Sequence, residues 1–280
     1  RSRTRRARRP GAGSRPPGLP GGFLLTAPLS RDMRSYNRAV VSVLQRLFRS
    51  SVFGYLALVG GVLSIGLTFT YASASMYGVD HVINLVAYWH VPLAIVGGLA
   101  LTVTFLGCAA YLLTGERFWE QLAHGSGELG FVFVSLTLLS GMTWGRVIWN
   151  TWWDWTDVRL VTFLFIWFVY AVYLLVRSSV GRGDRGARLA SVYGIVGFIT
   201  VPISYLSTRL WTARLHSPSV GNPEAQATIT GSVLLVTLLA VLCLYIYLLG
   251  SRVRLLALRG RLDAERYHDR TETHNSTEAE

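Results

Sequence analysis

Lysine is missing altogether: all 27 basic residues are arginine, a uniformity that points to a GC-biased coding sequence rather than to a functional choice. Charge of either sign is scarce, 15% of residues against roughly 25% in soluble domains. With 51% hydrophobic residues and a mean hydropathy of +0.38, that shortage excludes an ordinary soluble globular chain. Cysteine is limited to Cys108 and Cys243, each inside an apolar run and neither in a CxxC or CxxCH spacing. Thiol exchange and covalent attachment of a prosthetic group are therefore unsupported. A glycine-rich nucleotide loop is absent, as is a nucleophile paired with a base, which disfavours a small-molecule enzyme.

What is present is concentrated at the ends and in six apolar runs. The formal charge of +12 comes from residues 1–50, where 12 arginines face the single acid Asp32; the remaining 15 arginines and 14 acids nearly cancel. This arginine-rich start fits a disordered cytoplasmic segment touching anionic lipid better than it fits nucleic-acid binding. The stretch 1–32 mixes arginine with Pro and Gly, has no periodicity, and holds no signal-peptide core, since FLLTAP is too short for one. Met33 opens a more ordinary stretch, as a true start would, and Val40 to Phe48 reads as a short amphipathic helix.

The apolar runs lie near 53–75, 84–113, 128–145, 158–176, 189–208 and 227–250, each long enough for the roughly 20 residues that cross a bilayer core. The predicted fold is all-α, a polytopic membrane protein with six transmembrane helices. Its divisions are a basic, largely disordered segment at 1–50, a membrane domain at 51–250, and a polar tail at 251–280, irregular from Asp263 onward. Arginine is enriched before the first run, in RSSVGRGDRGAR at 177–188 and in SRVRLLALRGR after the sixth. By the positive-inside rule both termini are cytoplasmic. The 76–83 loop, the stretch 144–157 and the 209–226 loop then face outward, at the outer face of a cytoplasmic membrane.

That outward face carries the unusual chemistry. TWGRVIWNTWWDWTDVRL at 143–160 holds Trp144, Trp149, Trp152, Trp153 and Trp155, five of the nine tryptophans in the chain. A belt of interfacial rings would spread over both membrane surfaces; these crowd on one. His90, in YWHVP at the start of the second run, is an ionisable group at membrane depth, and such groups point to function. His216 follows the fifth run on the same side. Three of the other histidines are read as solvated: His268 and His274 in the tail, His124 in an inner loop. Two imidazoles over an aromatic platform suit the axial positions of a haem iron, with rings packed on the porphyrin. Zinc would want three or four ligands, and Asp80, His81, Asp154 and Asp157 show no such spacing. Arg146, Arg159, Arg209 and Arg214 are either headgroup anchors or partners for two propionates, for which a guanidinium fork is suited.

These residues resemble the haem-handling family of cytochrome c maturation, whose signature is a tryptophan-rich outward loop of the WGxxWxWD kind. WGRVIWNTWWDW at 144–155 with RLVTFLFIWFVY at 159–170 resembles that signature. YWHVPLA at 88–94 and VPISYLSTRLWTARLH at 201–216 resemble the segments around its two haem histidines. Within the family the likeness is to the haem-presenting branch. It implies haem b held at the outer face by His90 and His216, with the tryptophan platform, Asp157, Arg159 and Arg146 as further contacts. It also implies presentation to the chaperone CcmE, with release by the CcmA and CcmB transporter and a small subunit, CcmD. The role is haem transfer more than enzyme catalysis. Two departures stand out: the family's WDxRL is WTDVRL here, so Asp154 or Asp157 fills the aspartate position, and a basic position before the first histidine is Leu85. The alternatives are a haem lyase or synthetase of the CcsA or CcmF kind, whose proline, lysine, glutamate continuation is absent, and a membrane cytochrome b, which needs facing intrahelical histidines.

Overall fold

The computed structural model describes residues 31–72, 75–76, 79–80, 82–179, 183–211 and 230–277. The expectations that rest on residues 1–30, His81, Arg214, His216 and most of the 209–226 loop lie outside the described residues. The elements in order are α1 (Arg31–Arg49), α2 (Val52–Thr70), β1 (Ser75–Met76), β2 (Val79–Asp80), a 3-10 turn (Val82–Val86), α3 (Ala87–Thr114), α4 (Arg117–Ile148), α5 (Val158–Ser179), α6 (Asp184–Gly197), α7 (Thr200–Leu210) and α8 (Gly231–Thr277). The two strands form a short antiparallel ladder, Ser75 opposite Asp80 and Met76 opposite Val79. Six helical stretches are long and apolar enough to span a membrane: Val52–Thr70, Val82–Thr114, Arg117–Ile148, Val158–Ser179, Asp184–Ser207 and Gly231–Asp263. The architecture is an all-α, multi-pass membrane bundle.

The hairpin of α3 and α4 is its centre. α3 ends at Gly115, which takes the left-handed conformation at φ 71° and returns its N–H to Tyr111 O at 2.8 Å, so the chain reverses within two residues. The two helices run side by side and approach closely where a side chain is missing. A Cβ on Gly107 would lie 3.0 Å from Ala123 Cβ and 3.1 Å from Trp119 O. In an apolar solvent such close contact replaces the hydrophobic drive that water supplies. α8 packs on α2, α3 and α4, while α5 packs on α4, α6 and α7. Buried hydroxyls are satisfied within the bundle, as in Ser126 Oγ, which donates to Ala100 O at 2.7 Å and meets Tyr245 Oη at 2.8 Å.

Four boundaries differ from expectation. α4 starts at Arg117, eleven residues before the predicted 128, because Glu120 and Glu128 lie on one helical stripe and find arginines from distant helices. Arg177 of α5 holds Glu120, with Nε at 2.7 Å, and Arg252 of α8 holds Glu128 through two nitrogens at 2.5 and 2.6 Å. His124 lies on the same stripe, mostly buried, with Nε2 3.5 Å from Glu128, so it is neither in a loop nor solvated. The fifth span is divided, α6 ending at Gly197 and α7 restarting at Thr200 with Pro202 in its first turn, where a missing N–H costs little. α8 continues to Thr277, through what composition suggested was an irregular tail. α1 covers 19 residues rather than the nine expected, docked by Trp119 Nε1 donating to Asn37 Oδ1 at 2.8 Å.

The close helix contact yields a paired stability test. Gly107→Ala should destabilise by about 1–3 kcal/mol, since the new methyl meets backbone that cannot yield. Gly61→Ala, at a position with nothing within 4 Å, should be neutral or slightly stabilising. Thermal unfolding in detergent reads both; equal melting temperatures would contradict the packing described.

Candidate functional site

At the end of the bundle opposite Glu120 and Arg177, α3, α4 and α5 leave a crevice lined by His90, Gly141, Trp144, Trp149, Arg159 and Phe163, among others. Each wall has a local cause. His90 stands on the first turn of α3, and Pro92, two residues on, supplies no N–H to the carbonyl of Tyr88. Tyr88 itself is fully buried, and its hydroxyl accepts the Thr230 N–H at 2.9 Å, tying this turn to the start of α8.

The imidazole of His90 is positioned by α4. Its Nδ1 lies 3.0 Å from Ser140 Oγ. Ser140 has one hydroxyl proton and places it on its own helix, 2.7 Å from Leu136 O and 3.1 Å from Thr137 O. With that proton on the helix, the serine oxygen would accept from Nδ1 and leave the lone pair on Nε2. Gly141 makes room: a Cβ there would come within 2.9 Å of His90 Cε1. Trp144 meets the ring edge-on, centroids 5.9 Å apart and planes at 63°. Trp144 is in turn fixed by its indole N–H, which donates to the buried Asn84 Oδ1 at 3.0 Å. Trp149 tilts against Trp144 at 6.3 Å.

The remaining predicted residues fall outside these walls. α4 stops where Asn150 adopts φ 55°, a conformation asparagine tolerates, with the Arg146 guanidinium donating to the Asn150 side chain. Arg146 is thus an exposed residue of the turn. Trp153 and Trp155 form a separate edge-on pair, centroids 5.7 Å apart. Trp155 and Trp152 are 73% and 56% exposed, whereas Trp144 is buried. Asp157 is fully buried and caps α5, accepting the backbone N–H groups of Arg159 and Leu160 at 3.1 Å each. Its contact with Arg159 therefore runs through the main chain. Asp154 closes a turn onto Thr156, at 2.8 Å to N and 2.6 Å to Oγ1. Arg209 is exposed at the end of α7. Asn84, Ser140 and Gly141 carried no signal in the sequence, being ordinary small residues until the fold sets them against His90 and Trp144.

These residues suit a haem, with a limit on how it sits. The crevice holds only about 50 Å³, against roughly 300–1,000 Å³ for pockets that enclose an organic ligand. A group the size of a porphyrin would not fit inside a space of this volume, and the residues that would meet it at the mouth are His90, Trp144, Trp149 and Arg159. Trp153 adds a second mark of a ligand surface: its indole Nε1 is buried without a hydrogen-bond partner among the described residues, which a bound acceptor would satisfy.

The cap generates its own test. Asp157→Ala should lower stability by about 1 kcal/mol by freeing two N–H groups at the start of α5. Asp157→Asn, which still caps, should stay near the parent. A detergent melting curve in which the two variants behave alike would mean that the charge, not the cap, is what Asp157 supplies.

Comparison with known proteins sets these features in a family. The profile described as CcmC, heme exporter protein C, matches residues 36–271. The chain is 26% identical over 182 residues to heme exporter protein C of Paracoccus denitrificans, covering 64% of this chain and 75% of that protein. It is 27% identical over 223 residues to heme exporter protein C of Haemophilus influenzae, covering 75% and 85%. Against the Bradyrhizobium diazoefficiens protein of that name, identity is 30% over 134 residues, 48% of this chain and 50% of the relative, so that match spans half the relative's length.

Proposed function

This chain belongs to the CcmC family, heme exporter protein C, and on that premise we propose that it holds haem b at the outer face of the cytoplasmic membrane and presents it to the chaperone CcmE. The single observation that carries the reading is His90 on the crevice wall, with Nδ1 3.0 Å from Ser140 Oγ and Trp144 edge-on to its ring. His216 is the second axial ligand in this reading. Arg159, on the crevice wall, pairs with a propionate, whose partly desolvated charge needs a hydrogen-bonded counterion. Trp144 and Trp149 pack beside the ligated imidazole, and the exposed Trp152 and Trp155 meet the porphyrin face and the chaperone.

A crevice too small to enclose its cargo fits presentation better than storage. The haem edge away from His90 stays accessible, so a chaperone can take hold before the axial bonds are lost. Haem supplies the exchangeable iron positions; the protein supplies orientation and apolar contact. CcmA and CcmB as the releasing transporter and CcmD as a small companion complete the assembly in this reading. Both termini are cytoplasmic in this reading, which the arginine distribution supports.

Absorption spectra of the purified, haem-loaded chain test the ligands. His90→Ala and His216→Ala should each lose the bis-imidazole signature and retain less haem. Ser140→Ala should keep the ligand and weaken retention severalfold, because the tautomer is no longer held. Ligand-field bands identical to the parent in both histidine variants would exclude the assignment. Orientation has a separate check: a cysteine at Asn150 should react with an impermeant thiol reagent in intact cells, and protection until permeabilisation would reverse the topology.

A further inference from the structure

The opposite end of α4 borders a second, much larger space of about 1150 Å³, between α4, α5 and α8. It lies level with the ends of two apolar spans, α5 at Ser179 and α8 at Asp263, the depth at which a bilayer changes from acyl chain to headgroup. Its lining divides in the same way. Ala171, Leu174 and Leu175 of α5 and Leu256 of α8 supply an apolar side, with Leu175 62% exposed.

Most of the charge on the other side is already committed. Arg177 holds Glu120, Arg252 holds Glu128, and Arg117 reaches Asp184 at 2.6 Å. Breaking any of these pairs would strand a carboxylate, so they belong to the scaffold. What remains is Arg259 and Arg261 on α8, both exposed, with Asp263, which leaves one positive charge over. Neither guanidinium has a hydrogen bond or ion pair among the described residues. The same holds for the side-chain amides of Gln45 on α1 and Gln121 on α4, which line the same space.

We infer that this space is a binding site for one anionic phospholipid of the inner leaflet, with an acyl chain along Leu174, Leu175 and Leu256 and the phosphodiester drawn to Arg259 and Arg261. A phosphodiester brings one negative charge, the surplus counted above, and accepts hydrogen bonds from guanidinium and amide N–H groups without displacing a carboxylate from its arginine. A zwitterionic lipid would bring its own cation to the same arginines, and a soluble anion would leave the apolar side wet. Basic side chains at a membrane surface attract anionic lipid in general. The apolar wall and the two amides make this a site for a single molecule rather than a diffuse attraction. Only the choice of leaflet rests on the proposed orientation; the lipid class does not.

Native mass spectrometry of the full chain in detergent, titrated with phosphatidylglycerol, tests it. The parent should retain one phosphatidylglycerol and hold phosphatidylcholine at least fivefold more weakly. Arg259→Gln and Arg261→Gln should each lose at least threefold in phosphatidylglycerol affinity, whereas Arg266→Gln, at an exposed α8 arginine outside the space, should match the parent. Leu256→Trp, which fills the apolar side, should weaken binding as well. Equal losses in the three arginine variants would mean diffuse attraction and overturn the site, as would equal retention of the two lipids. Displacement of phosphatidylglycerol by equimolar glycerol 3-phosphate would also overturn it and make the space a site for a soluble phosphate. Because the chain is in detergent without haem, failure of the proposed orientation or of the haem reading leaves each of these outcomes unchanged.

Discussion

Where His90 Nδ1 lies 3.0 Å from Ser140 Oγ, two helices of an apolar bundle are joined by a polar contact. The contact exists because α3 and α4 approach closely at their glycines. A Cβ on Gly107 would meet Ala123 at 3.0 Å at one end of the pair, and a Cβ on Gly141 would meet His90 at 2.9 Å at the other. Loosening the hairpin at either place moves the imidazole relative to the serine that orients it. The remaining outer elements depend on this geometry: Trp144 stands edge-on to the ring, held by Asn84, and Trp149 leans on Trp144.

The two ends of α4 divide the chemistry. One end presents a small crevice rimmed by indole rings, and the other carries carboxylates locked to arginines from α5 and α8. The buried Arg177–Glu120 pair, with side chains 12% and 8% exposed, clasps α5 to α4 near the end of the bundle. Such a pair adds little net stability compared with apolar packing, but removing one partner is expensive, so it holds the helices in one arrangement. The tryptophan loop between α4 and α5 therefore starts and ends on helices whose far ends are fixed to each other.

What could be read from sequence followed from composition and local pattern. Six spans were legible because apolar runs of that length have few other uses, and His90 stood out because an ionisable group at membrane depth is costly. The tryptophan cluster marked its loop for the same kind of reason. The early start of α4 was not legible, since Glu120 and His124 look like loop residues until Glu120 is seen paired with an arginine 57 positions away. Ser140 and Gly141 were invisible because their importance is purely spatial: serine is common in such helices, and a glycine announces no contact. Asp157 was read as a site residue from its motif, and its structural part, capping α5 through backbone N–H groups, needs coordinates to be seen.

The central claim is that His90 reaches iron through Nε2 because Ser140 holds its Nδ1 proton. The most direct measurement is pulsed electron paramagnetic resonance of the ferric haem-loaded chain with nitrogen-15 introduced only in histidine. The account predicts a low-spin signal with two histidine nitrogen couplings, one of which is absent in His90→Ala and altered in Ser140→Ala. A signal without histidine couplings, or one unchanged when His90 is replaced, would contradict it.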